Sequence, residues 1–164
     1  MSIIVMNGNL LDAPERVICH QVNCQGRMRS GVAAAIREKW PEAYESYLDY
    51  IELMKTRYNF DNSGLLGLVD FVPVGEGDDL RTICNMFAQE DYGYDKQMYT
   101  SYDAFWRCLY RINSVIMPGE PIAMPYKIGC GLGGANWEVI QTMIEEVLGD
   151  NHDIILYKLK EIEE

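Results

Sequence analysis

"MPYKIGCGLGGANW", Met124 to Trp137, places four glycines, Gly129, Gly131, Gly133 and Gly134, within six positions. Glycine inside a chain costs backbone entropy, so such crowding implies positive φ angles or a backbone approached very closely by something else. A purely structural turn needs one or two. A short apolar run precedes the loop, and "NWEVIQTMIEEVL" follows it with Trp137, Ile140, Ile144 and Val147 on one helical face. The stretch therefore reads as strand, glycine loop, helix. The same layout recurs in "CHQVNCQGRMRSGVAAAI", Cys19 to Ile36.

The rest of the chain repeats this alternation. "IIVMN" (3–7), "RVICHQV" (16–22), "GLLGLVDFVPV" (64–74), "RTICNMF" (81–87), "PIAMP" (121–125) and "HDIILYKL" (152–159) are short apolar runs bounded by turn residues, and each reads as a strand. From Gly31 the chain turns alanine-rich and amphipathic, and Pro41 ends one helix and opens the next. A third helix carries Ala104, Cys108 and Ile112 at helical spacing, with Thr100 or Ser101 placed to cap it. Strands alternating with helices predict an α/β sandwich whose mostly parallel or mixed sheet is covered on both sides. Ligands in such folds sit at the carboxyl ends of strands, where loops enter helix N-termini.

Composition narrows the function. A chain of 164 residues with no internal repeat or linker is read as one domain, 1–164, and its acidic tail "KEIEE" (160–164) as a solvated end. The net charge of −11 argues against sequence-independent binding of nucleic acid or of an anionic membrane, and no segment has the length of a membrane span. A soluble, cytoplasmic monomer is expected. Five cysteines without a Cys-x-x-Cys pair indicate reduced thiols rather than disulfides or zinc, so no metal or cofactor is expected. An anionic ligand would have to be gripped by backbone. Free N–H groups at a helix N-terminus, with the local positive dipole, form an anion site that needs no lysine. For one glycine loop, tight strand-to-helix packing explains as much as phosphate binding does. Two loops in equivalent positions favour a diphosphate held between them. Neither matches G-x-G-x-x-G in its first-strand context, and neither has the G-K-[ST] of a P-loop.

These segments resemble the macrodomain family, an ADP-ribose-binding three-layer α/β/α sandwich with a mixed sheet, over nearly the whole chain. "NGNLL" (7–11) is similar to that family's G-[DN]-[IL] element, "VNCQGRMRSGVAAAI" (22–36) to its first loop, and "MPYKIGCGLGGANWEVI" (124–140) to its second phosphate loop. "NMFAQ" followed by "YTSYDAF" resembles the branch with ADP-ribose-1″-phosphate phosphatases and related de-ADP-ribosylating enzymes. The resemblance implies that Gly8, Asn9 and Leu10 lie at adenine, with Asn9 where aspartate is common. Asn23 is implied beside the distal ribose, and Ser30, Gly31 and Val32 at the diphosphate and that ribose. Ile128, Gly129, Cys130, Gly131, Leu132 and Gly133 are implied as the opposing phosphate loop, and Tyr157 as a ring stacked on adenine or simply a sheet residue.

Deacylating relatives often carry a lysine after the "NMF" strand and some an aspartate in the second loop, where this chain has Gln89 and Gly133. A lysine-dependent covalent route is thus unsupported. His20, three residues before Asn23, is the implied proton carrier, able to activate water or to protonate a leaving oxygen. The residues alone also allow a partly buried structural histidine. Asp91, with its neighbours Glu90 and Asp95, could orient water or the imidazole. Three functions fit one pocket: hydrolysis of ADP-ribose-1″-phosphate, removal of ADP-ribose from protein or nucleic acid, and non-catalytic ADP-ribose reading.

Overall fold

The computed structural model describes residues 2–159; the acidic tail at 160–164 lies outside the described residues. Six strands, β1 (Ile3–Asn7), β2 (Val17–Asn23), β3 (Val69–Val74), β4 (Arg81–Gln89), β5 (Ile122–Pro125) and β6 (Ile154–Lys158), form one sheet in the order β1-β6-β5-β2-β4-β3. Every neighbouring pair is parallel except β3 and β4, so the sheet is mixed.

Alternate residues of the central strands feed opposite faces. Cys19, Cys84, Met86, Ile122, Met124, Ile154 and Leu156 pack under α3 (Tyr102–Val115) and α4 (Trp137–Leu148). Ile18, Ile83, Ala123 and Ile155 face the opposite way, toward Ile36 of α1 (Gly31–Lys39) and Ala43 of α2 (Pro41–Tyr58). Ile140 and Ile144 of α4 are both fully buried, each side chain worth about 2 kcal/mol in apolar burial. The three layers follow from these two apolar faces. No helix among the described residues is long and apolar enough to cross a membrane.

Several boundaries differ from the sequence reading. The run 64–74 is not one strand: Asn62–Leu65 is a 3₁₀ turn, Leu68 N–H bonds back to the Leu65 carbonyl, and β3 begins at Val69. Pro41 opens α2 as expected, and α2 continues to Tyr58, where Asn59 takes a left-handed conformation. Ser101 caps α3 by accepting from the Ala104 N–H. Thr100 instead donates its hydroxyl to the Gly129 carbonyl, which ties the start of α3 to the glycine loop.

Candidate functional site

β2 leads into α1 on one face of the sheet, whereas β5 leads through the glycine loop into α4 on the other. Chains that diverge to opposite faces leave a crevice at the carboxyl ends of their strands. A cleft of about 410 Å³ fills it, lined by 20–23 of β2, Arg27 and 29–33 of the first loop, 125–133 of the second, and Gln89 with 92–94 beyond β4.

The first loop is built around Asn23. Its Oδ1 accepts from the Gln25 N–H at 2.9 Å and its Nδ2 donates to the Arg27 carbonyl at 2.8 Å. The Tyr47 hydroxyl, donating to the Asn23 carbonyl at 2.6 Å, braces the turn from α2. Asn23 thereby keeps one amide hydrogen for an occupant of the cleft. At the start of α1, Ser30 has extended backbone and makes no side-chain cap; its hydroxyl pairs with Tyr94 instead. The N–H groups of Gly31, Val32 and Ala33 have no intrahelical carbonyl to meet.

The four glycines of the second loop have different reasons. Gly129 and Gly134 hold φ of 78° and 74°. A Cβ on Gly133 would stand 2.5 Å from Thr100 Oγ1, and one on Gly134 only 2.7 Å from the Gln97 carbonyl. These residues are glycine so that the loop can close on 97–100, whose Tyr99 and Thr100 N–H groups both donate to the Gly133 carbonyl. Gly131 is different: its φ is not positive, and a Cβ there would meet nothing within 4 Å. No neighbour in the protein requires its missing side chain, and it lines the cleft. Gly134→Ala is accordingly expected to cost about 1–3 kcal/mol of stability and Gly131→Ala less than about 0.5 kcal/mol. Urea unfolding checks this, and equal losses at both positions would contradict it.

Behind the second loop, Gln21 Nε2 donates to Gln89 Oε1 at 2.7 Å and to Thr100 Oγ1 at 2.8 Å. Gln89 is thus held in an amide network, and the buried Gln21 Oε1 has no partner among the described residues.

His20 lines the cleft yet is fully buried. Its Nε2 lies 2.5 Å from Asn85 Oδ1, and its buried Nδ1 has no partner among the described residues. Burial lowers its pKa to about 4, against the raising effect of the Asn85 contact. The imidazole is therefore neutral at pH 7 and can accept a proton. It can therefore donate a proton only after first accepting one.

None of the three loop acids lines the cleft. Asp91 Oδ1 accepts from the Tyr92 N–H at 2.8 Å, Asp95 Oδ1 accepts from the Tyr99 hydroxyl at 2.6 Å, and the Glu90 carbonyl takes the Cys24 N–H. Asp91 and Asp95 thus brace the loop with their side chains and Glu90 with its backbone, and the proton-handling role considered for Asp91 finds no contact with the cleft.

Gly8, Asn9, Leu10 and Tyr157 stand outside the cleft lining, at the ends of the neighbouring strands β1 and β6 on the same edge of the sheet. Asn9 Oδ1 caps a 3₁₀ turn by accepting from the Leu11 N–H at 3.0 Å, and Leu10 is buried. Tyr157 is 8% exposed, its ring lies against Gly8, and its hydroxyl donates to Glu15. The aromatic that reaches the cleft there is Tyr126, set edge-on to Trp137 at 5.3 Å between ring centroids. Cleft-lining Arg27, Arg29, Tyr92, Tyr94 and Lys127 were also passed over in the sequence. The two arginines lie inside the quoted loop "QGRMRSG", where their alternation around the buried Met28 was the available signal.

No protein-family model matches the chain. Over 143 residues it is 26% identical to a DNA ADP-ribosyl glycohydrolase of Thermus aquaticus, a match covering 87% of this chain and 37% of that protein. Over 54 residues it is 43% identical to an ADP-ribose 1″-phosphate phosphatase of Ajellomyces capsulatus, covering 32% of this chain and 21% of that one. The chain thus matches well under half the length of either relative. Among solved structures, a Bacteroides thetaiotaomicron protein of unknown function superposes with a TM-score of 0.76 at 27% identity, covering 97% of this chain and 99% of that one. The macrodomain of Mycobacterium tuberculosis DarG gives 0.72 at 22%, covering 96% and 98%. Thermosipho africanus DarTG, solved in complex with ADP-ribose, gives 0.73 at 17%, covering 98% of this chain and 43% of that one. A mixed six-stranded sheet between helical layers, with matches of this extent, defines an α/β/α fold of one kind. This chain has the macrodomain fold.

Proposed function

We propose that the cleft binds ADP-ribose and that the chain hydrolyses a derivative of it, ADP-ribose-1″-phosphate first among them. The observation that carries the reading is Gly131, a glycine that no neighbour in the protein requires, facing the same cleft as the free N–H groups that open α1. A diphosphate between them is met by backbone donors from both sides, and Arg27, Arg29 and Lys127, which also line the cleft, add positive charge. Along the edge of the sheet the distal ribose then falls at Asn23 and the adenine toward Tyr126 and Asn9.

In this reading water attacks the 1″-phosphorus while His20 Nδ1 takes its proton. The imidazolium so formed returns the proton to the departing C1″ oxygen, leaving ADP-ribose and phosphate. Backbone dipoles aimed at the phosphates supply the electrostatic part. The local 43% identity to a phosphatase supports this substrate. The longer match to a DNA ADP-ribosyl glycohydrolase favours a second reading, cleavage of ADP-ribose from a macromolecule, although Gln89 and Gly133 leave that route without lysine or aspartate. A turnover panel decides. Phosphate release from ADP-ribose-1″-phosphate is expected, and its absence beside ADP-ribose release from a conjugate would overturn the order of the two readings.

A further inference from the structure

His20 sits over a buried polar chain that the proposed reaction does not itself use. Asn85 of β4 lies beside it in register and is fully buried. The Nδ2 of Asn85 donates to the Ala43 carbonyl of α2 at 3.2 Å and to Asp70 Oδ2 of β3 at 3.4 Å. Asp70 in turn accepts from the Ser46 hydroxyl at 2.9 Å. A carbonyl can only accept, so the end of the amide that faces Ala43 must be its NH₂. The other end, turned to His20, must then be the oxygen. An oxygen 2.5 Å from Nε2 requires Nε2 to carry the hydrogen. A neutral imidazole has one hydrogen, so Nδ1 is bare. Nδ1 is also the ring nitrogen that is buried without a partner among the described residues, in a residue that lines the cleft.

We propose that Asn85 is a positioning residue for His20: anchored by Ala43 and Asp70, it selects the Nε2–H tautomer and so leaves Nδ1 as the bare, proton-accepting nitrogen of the ring. Asn85 touches no occupant of the cleft itself, since it is not part of the lining. The arrangement supplies partners for an asparagine that is fully buried in the middle of an apolar sheet, where an unpaired amide would be destabilising. Among the described residues the only side chain bonded to the imidazole is Asn85; Asp70 reaches it through Asn85, and its own carboxyl is held above the usual range by burial. The catalytic consequence rests on the proposal that His20 accepts a proton, whereas the tautomer itself does not.

The ring nitrogens of His20 can be read by ¹⁵N NMR on the intact chain at pH 7. The expected spectrum shows Nε2 protonated and Nδ1 unprotonated; a Nδ1–H tautomer in the wild-type protein would overturn the proposal whether or not the protein turns anything over. In Asn85→Leu the tautomers should mix, and kcat for ADP-ribose-1″-phosphate should fall by about 10–100-fold, the scale on which groups that orient a working histidine act, with KM within about twofold. Asn85→Asp retains an acceptor for Nε2–H and, with its second oxygen protonated toward Ala43 and Asp70, should recover the single tautomer. A folded Asn85→Leu protein with the wild-type tautomer would contradict the assignment, as would an equal fall in turnover for Asn85→Leu and Asn85→Asp with the tautomer restored in the latter. If neither variant folds, the wild-type spectrum still decides.

Discussion

Gly131→Glu is expected to abolish ADP-ribose binding in a protein that remains folded. The fold should tolerate the substitution because position 131 has no positive φ and a Cβ there meets nothing within 4 Å. The ligand should not. A carboxylate about 4 Å from a phosphate charge, at the effective dielectric of a partly exposed site, opposes it by about 4 kcal/mol, which is about a thousandfold in affinity. Gly131→Ala, which adds bulk without charge, should weaken binding far less. Titration calorimetry on both variants, with circular dichroism to confirm folding, makes the measurement. Undiminished heats in folded Gly131→Glu would place the ligand elsewhere.

His20→Ala carries the second large effect. If Nδ1 takes the proton of the attacking water, turnover of ADP-ribose-1″-phosphate should drop by about 10²–10⁴-fold while ADP-ribose affinity stays within about tenfold. Binding and chemistry separate because the loops that hold the ligand do not depend on the imidazole. The variant also deletes a fully buried side chain and leaves Asn85 Oδ1 without its donor, at a cost of about 1–3 kcal/mol. Its unfolding curve must therefore be recorded beside its kinetics. His20→Gln, able to donate to Asn85 again, should recover part of the stability without recovering turnover. A folded His20→Ala protein at wild-type turnover would remove the proton-transfer role.

Much of this was legible in the chain because period and punctuation are local properties. Pro41, Gly129 and the apolar stripe of α4 mark their elements without help from distant residues, and the two glycine loops announced a shared crevice once the strands were taken as parallel. What the sequence hid is of three kinds. Register is one: only the pairing of β2 with β4 sets His20 beside Asn85, sixty-five positions away. Burial is another, since nothing in "HDIILYKL" says that Tyr157 is packed on Gly8 while the half-buried Tyr126 lines the cleft. The third is the division of labour among the glycines. Counting four of them implied one shared cause, whereas contacts with Thr100 and Gln97 account for Gly133 and Gly134, a positive φ accounts for Gly129, and Gly131 faces open space.

The central claim is that backbone donors from both loops grip a diphosphate, and calorimetry with ADP-ribose, AMP and adenosine on the unmodified chain tests it most directly. AMP keeps the adenine and one phosphate but cannot span the cleft to Asn23. Two lost charge-assisted hydrogen bonds, at about 1.5 kcal/mol or more each, predict an affinity for ADP-ribose at least about a hundredfold above that for AMP, with adenosine weaker still. Comparable affinities for ADP-ribose and AMP would contradict the two-loop account.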